Sequence, residues 1–306
     1  MRMISPPPLK KGDKIGIVTP SGRIEEGVLD NAIERFEEWG LEVMVAQAAY
    51  NHFNQFGGTV TERLTDLQGV LNDPEIKAVV CSRGGYGAVK IIDLIDFRLF
   101  VASPKWIVGY SDITVLHNHI NENYGIKTLH GPMAAELSPE RKIRASDDSM
   151  ELLRETLFGA LPAYIHPVHQ LSRGGKTEGI LTGGNLSVLY SLTGSGSFPE
   201  TEGRILFIED VGEYLYHIDR MMVGLRRNGV LEGIGGLLVG GLTDMNDNKV
   251  PFGRTAEEII AEAVEDYDYP VCFGFPAGHQ PENKTLIMGS KVTLSVGESI
   301  SHLTFI

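Results

Sequence analysis

Trp106-Ile107-Val108-Gly109-Tyr110-Ser111-Asp112 is an apolar strand that stops abruptly at a glycine and hands the chain to a serine. Ile113, Leu116 and Ile120 then recur at helical spacing, which predicts one buried face of a helix starting at once. A serine on such a strand-to-helix turn stands clear of the sheet, and the next backbone N–H groups point outward from the helix start. That is the geometry of a nucleophile elbow, although Ile113 stands where G-x-S-x-G has its second glycine. An N-cap accounts for the same residues, since Ser or Asp before a helix satisfies an orphan N–H.

Outward from this turn the first half alternates strands and helices. Lys14 to Thr19, Leu41 to Ala46 and Lys77 to Ser82 read as strands. An amphipathic helix from about Glu25 to Trp39 ends at Gly40, a second spans Thr61 to Leu71, and a third lies near Ala88 to Leu94. Strands alternating with helices imply right-handed crossovers and an α/β fold with a doubly wound parallel sheet. The pattern weakens between 135 and 175, where Ser138-Pro139-Glu140-Arg141-Lys142, His166-Pro167 and Ser172-Arg173-Gly174-Gly175 collect turn formers. This predicts an N-terminal domain over 1–160, a linker over 161–178 and a C-terminal domain over 179–306. In the latter, Gly183-Gly184-Asn185-Leu186 opens a short helix, Arg204 to Glu209 is a strand and Tyr214 to Arg227 a long helix. Short strands at Lys284 to Met288, Lys291 to Val296 and Ile300 to Phe305 close the chain, so the second domain is expected to hold a mixed, partly antiparallel sheet.

Composition narrows the function. The chain has 306 residues, 42% hydrophobic and 22% charged, as in ordinary soluble domains. Its net charge of -13, with no basic stripe, argues against nucleic acid as a partner. No stretch approaches the roughly 18 apolar residues of a membrane span, and Met1 to Lys11 has no apolar signal core. A cytoplasmic protein without a membrane partner is expected. Cys81 and Cys272 sit far apart in apolar runs and read as buried thiols. No H-E-x-x-H, C-x-x-C or clustered Asp motif occurs, and His117 and His119, two apart, face different sides of one helix, so no metal and no other cofactor is expected.

Ligands of open parallel sheets bind beyond the carboxyl ends of the strands. Arg83-Gly84-Gly85-Tyr86-Gly87 follows one such strand and lets backbone N–H groups approach a ligand, as an oxyanion hole requires; a tight turn needing positive φ explains it equally. It is not a G-x-G-x-x-G dinucleotide loop. Ile205-Leu206-Phe207-Ile208 leads into Glu209-Asp210, either a functional carboxylate pair or a solvated strand end. Val271 to Pro276 leads into Ala277-Gly278-His279-Gln280, whose histidine either reaches into a cleft or sits on a surface loop. Ser, Glu and His at three strand ends are the ingredients of a catalytic triad, and spacing alone does not bring them together.

The ordered strings S-R-G-G-Y-G, V-G-Y-S-D-I-T, H-G-P-M, L-T-G-G-N-L, F-I-E-D-V-G-E, D-R-M and G-F-P-A-G-H resemble those of the LD-carboxypeptidase family of serine peptidases across nearly the whole chain. That family includes murein tetrapeptide carboxypeptidases and microcin C immunity peptidases. The resemblance implies Ser111 as nucleophile, Glu209 as acidic member, His279 as general base, and the backbone N–H groups of Asp112 and Gly85 as oxyanion donors. It also implies a C-terminal barrel-like domain, an interdomain cleft, a homodimer, and removal of the terminal D-alanine from murein tetrapeptides in cell-wall recycling. A free substrate carboxylate calls for a cation, with Arg83 and Arg220 the candidates, although a structural ion pair would explain either. An immunity-type peptidase would instead need an aromatic platform. Trp39 and Trp106 are poorly placed for that, leaving Tyr214 or Tyr216. A non-catalytic nucleotide- or sugar-binding module using the glycine loops would show no dependence on Ser111.

Overall fold

The computed structural model describes residues 3–306. Strands β1 (Lys14–Val18), β2 (Glu42–Val45), β3 (Ile76–Cys81), β4 (Trp106–Gly109) and β5 (Thr128–His130) run parallel. Helices α1 (Asp30–Glu38), α2 (Val60–Asn72), α3 (Arg98–Ala102) and α4 (Thr114–Tyr124) lie in their connections. The strand order β2-β1-β3-β4-β5 reverses between β1 and β3, so the loops leaving those two strands diverge and open a crevice at the carboxyl edge. Thr59 starts α2 with a full capping box to Glu62, and Gly125 ends α4 in the left-handed conformation.

Beyond β5 follow α5 (Asp147–Leu157), β6 (Ala163–Pro167), β7 (Gly175–Asn185), α6 (Leu186–Ser191), β8 (Ile205–Val211), α7 (Leu215–Arg227), β9 (Gly236–Thr243), α8 (Ala256–Ala263), β10 (Val271–Cys272), β11 (Leu286–Met288), β12 (Lys291–Val296) and β13 (Ile300–Phe305). The second sheet has the order β10-β9-β8-β7-β12-β13-β6; its first four strands are parallel and its last three antiparallel. The expected mixed sheet is there, with β10 and β6 as open edges and no closed barrel.

Three local readings need correcting. Residues 161–178, expected as a linker, carry β6 and the start of β7. Their polar, proline-bearing composition suits an edge strand, where Pro167 forfeits no ladder bond. The helix expected near 88–94 is two short 3₁₀ turns, Ala88–Lys90 and Ile92–Leu94. Asp112 accepts the Ala88 N–H at 2.8 Å and Arg63 donates to the Gly87 carbonyl at 2.8 Å, which ties the segment down at its start. Finally, β11 leaves the C-terminal half and adds antiparallel to β5, so the first sheet is completed by a distant piece of chain.

One hydrophobic core is common to both sheets: Ile15, Val80, Val108 and Leu129 of the first belong to the same cluster as Leu181, Phe207, Leu238 and Leu294 of the second. Each such fully buried side chain contributes about 1.5–3 kcal/mol. Helix α4 also docks directly on β7. Asn118 donates to the Gly183 carbonyl at 3.0 Å, and Asn185 N–H donates to Thr114 Oγ1 at 3.0 Å. Only glycine fits at 184, because a Cβ there would lie 2.5 Å from Thr114 Oγ1 and φ is +136°. The helix that follows Ser111 is thereby clamped to the sheet that carries Glu209.

Candidate active site

Ser111 sits where the apolar strand predicts, on the turn between β4 and α4, with φ +62°. A non-glycine residue in this region costs on the order of 1–3 kcal/mol and persists only where its surroundings hold it. Asp112 does much of the holding. Its buried carboxylate accepts from Ser21 Oγ at 2.5 Å and from the Ala88 N–H, joining the turn to the loops after β1 and β3. Burial lifts the Asp112 carboxyl above the usual range, against those hydrogen bonds and the nearby Arg63 charge. Arg63, itself buried, donates to Pro20 O at 2.6 Å and to Gly87 O, spanning the same two loops.

The Arg83 loop lies directly on the serine. A Cβ at Gly84 would come within 2.7 Å of Ser111 Cβ, 2.8 Å of its Oγ and 3.4 Å of the Asp112 nitrogen, so glycine is a steric requirement there. Gly85, at φ +112°, is exposed and borders the same space.

Glu209 and His279 meet across 70 residues of chain: His279 Nδ1 and Glu209 Oε2 are 2.7 Å apart. Glu209 is fully buried on β8, and the loop after β10 carries the imidazole over it. Asp210, next along the strand, points to the opposite face and accepts from Asn185 Nδ2 and the Ser187 N–H. Burial opposes charge on both partners, yet their mutual attraction wins. It holds Glu209 below the ordinary carboxylate range and His279 above the ordinary histidine range, with Glu136 and Asp210 adding to the latter.

Ser111 and His279 line one cavity of about 480 Å³ with Arg83, Gly84, Gly85 and Tyr110. The Tyr110 ring stands edge-on to His279 at 4.8 Å. Arg83 is half-buried beside the serine loop and donates to the Arg23 carbonyl at 3.2 Å. Arg220 is not among the lining residues; it is exposed on α7 with its guanidinium 5.2 Å over the Tyr216 ring. The tryptophans and the exposed Tyr214 and Tyr216 do not line the cavity either. The structure adds residues that sequence reasoning passed over. Glu136, buried on the cavity wall, has its carboxyl pushed by desolvation up to about 7. Arg141 and Lys142 come from the stretch read as turn formers, and Lys142 pairs with Asp244 at 2.5 Å. Their basic doublet was the available signal. Among the described residues no group of three His, Cys, Asp or Glu is placed to hold a metal ion, and no helix is long and apolar enough to cross a membrane.

A family model described as the LD-carboxypeptidase N-terminal domain matches residues 15–131, and one described as the LD-carboxypeptidase C-terminal domain matches 178–294. The chain belongs to the LD-carboxypeptidase family. It is 37% identical over 303 residues to a probable murein peptide carboxypeptidase of Bacillus subtilis, covering 96% of this chain and 92% of that one. The muramoyltetrapeptide carboxypeptidase of Oxalobacter formigenes superposes with a TM-score of 0.85 at 26% identity, over 95% of this chain and 98% of that one. The microcin C7 self-immunity protein MccF, solved with aspartyl sulfamoyl adenosine, has a TM-score of 0.86 at 24% identity, with 97% of each chain covered; that likeness concerns the fold.

In this LD-carboxypeptidase the Glu209–His279 contact depends on a glycine. A Cβ at Gly278 would lie 2.5 Å from Glu209 Oε2, and φ there is +109°. Gly278→Ala is therefore expected to cost about 1–3 kcal/mol of stability and to displace the imidazole. Urea unfolding checks the first expectation and turnover the second. Wild-type values for both would mean that the loop carries no such constraint.

Proposed function

We propose that this chain is a serine carboxypeptidase that hydrolyses the bond between the L-centre of a diamino acid and the terminal D-alanine of murein tetrapeptides. The observation that carries this reading is the 2.7 Å His279–Glu209 contact opening onto the cavity that Ser111 lines. A carboxylate on Nδ1 requires the proton there, leaving Nε2 unprotonated to take the proton from Ser111 Oγ. The alkoxide attacks the scissile carbonyl, and the Asp112 and Gly85 N–H groups receive the oxyanion. Nε2 then gives its proton to the departing D-alanine nitrogen, and water, deprotonated by the same imidazole, releases the acyl group from Ser111. We further read the enzyme as a cytoplasmic homodimer serving cell-wall recycling, an assembly that light scattering on the purified protein tests.

The direct experiment incubates the protein with a murein tetrapeptide and follows loss of one alanine by mass spectrometry. No loss, together with cleavage of an aminoacyl sulfamoyl nucleotide, would replace this reading by the immunity-type one. A net charge of -13 repels an anionic peptide at long range, so a local cation must hold the terminal carboxylate. Arg83 and Arg141 are the cavity's candidates. Amidating the terminal D-alanine is expected to cost about 1.5–3 kcal/mol in kcat/KM, the scale of a hydrogen bond to a charged group. Whichever of Arg83→Ala and Arg141→Ala removes the anchor should no longer distinguish acid from amide, whereas Arg220→Ala should still do so. Equal cleavage of acid and amide by the wild type would exclude carboxylate recognition.

A further inference from the structure

Behind the Glu209–His279 pair lies a set of buried polar atoms that the mechanism leaves unused: both ring nitrogens of His130, Glu209 Oε1, Asn283 Nδ2 and Thr285 Oγ1. None makes a hydrogen bond of good geometry among the described residues, although the Asn185 and Asn283 amides lie close enough to bear on Glu209 and His130 respectively, and buried groups left in this way are rare enough to need an explanation. They lie in one region. The His130 ring stands edge-on to Phe207 at 5.0 Å, and Phe207 is two residues before Glu209 on the same face of β8. Tyr110 packs between two imidazoles, 5.4 Å from His130 and 4.8 Å from His279. Asn283 Oδ1 accepts the Gly278 N–H at 2.9 Å, and Gly278 in turn rests on Glu209. Thr285 Oγ1 lies 3.1 Å from where a Cβ on Gly131 would be, beside His130.

We propose that His130 is a positioning residue: with Asn283 it directs N–H donors at Glu209 Oε1, the oxygen His279 leaves free, directly or across one bridging water, and so keeps that carboxylate ionised. The inference rests on the Ser111–His279–Glu209 reading. A desolvated carboxylate that lacked these donors would bind a proton more readily. The groups facing His130 are Glu209 from β8, His279 from the loop after β10, His117 from α4 and Tyr110 from the turn after β4; Glu136 and Asp210 add their charge at His279. Burial pushes His130 itself down to about 3 and His117 down to about 4, so neither titrates at working pH and the acidic limb of activity belongs to the Glu209–His279 pair. Neutral His130 offers one ring N–H and one acceptor.

The test is the pH profile of kcat/KM for D-alanine release in the wild type, His130→Phe and His130→Gln. Phenylalanine keeps the aromatic packing and removes the donor; glutamine keeps a donor. Without these donors the more basic Glu209 carboxylate pulls harder on the Nδ1 proton and stabilises the His279 imidazolium, so His130→Phe should move the acidic limb about one unit to higher pH, a loss of about tenfold below the limb. Its KM and its alkaline plateau should stay near wild type, and His130→Gln should return the limb. A uniform loss at every pH, or the same shift in both variants, would overturn the proposal. Should His130→Phe not fold, ring ¹⁵N shifts of His130 in the wild type and in Glu209→Gln decide instead: they must change, and identical shifts overturn it. Turnover by Ser111→Ala would defeat the triad reading. A dead Ser111→Ala beside an unmoved limb would defeat only the role of His130.

Discussion

Ser111→Ala is expected to lower kcat by about 10⁴-fold or more while leaving the fold and substrate binding close to wild type. The prediction follows from position as much as from residue type. Ser111 is held at φ +62°, half-buried, with its Oγ against Gly84 and on the cavity that His279 lines. Alanine keeps the Cβ and meets the same backbone demand, so Asp112, Ser21 and Ala88 still fix the turn and stability should change little. What disappears is the Oγ that the proposed mechanism uses to form the acyl-enzyme, which would leave the proposed oxyanion donors and the binding contacts to act alone. Single-turnover mass spectrometry should show an acyl adduct on the wild type and none on the variant. Activity of the variant within roughly tenfold of wild type would mean that the carbonyl is attacked by something other than Ser111.

The first domain was legible because its signals are local. Apolar runs ending at Ser82 and Gly109, with glycine or serine two residues on, mark β3 and β4 and the loops beyond them; the four strands expected, β1 to β4, fall within a residue or so, whereas the three-residue β5 was too short to stand out. Glu209 and His279 were visible only as strand-end residues; what joins them is a contact across 70 residues, which no local pattern encodes. The cavity wall was less accessible still. Glu136 and Arg141 lie between α4 and α5 in a stretch whose polar residues read as solvated turns, and they acquire meaning from Tyr110 and His279 opposite. Arg220 shows the converse. A motif-borne cation on a helix attracted attention, yet its helical face turns it to Tyr216 and solvent. Likewise β6 was hidden because an edge strand tolerates the Pro and polar residues that signal a linker.

His279→Ala is expected to cost about as much as Ser111→Ala, Glu209→Gln less, and the double variant His279→Ala/Glu209→Gln little more than His279→Ala alone. In the proposed mechanism Glu209 moves no proton; it fixes Nδ1–H, leaving Nε2 free, and stabilises the imidazolium that forms. Once the imidazole is gone the carboxylate has nothing to orient, so the losses cannot multiply. The pH dependence carries the same logic with a definite sign. As the proposed base His279 must be neutral, and Glu209 raises its pKa above the ordinary histidine value despite burial. Wild-type kcat/KM should therefore be low at acid pH and rise through a limb above that ordinary value. Glu209→Gln removes the negative charge while burial continues to disfavour the imidazolium, so its limb must move to lower pH even as its plateau falls. A multiplicative double variant would assign the two residues independent roles, and a limb that stayed in place in Glu209→Gln would show that the titrating group is not the imidazole bonded to Glu209.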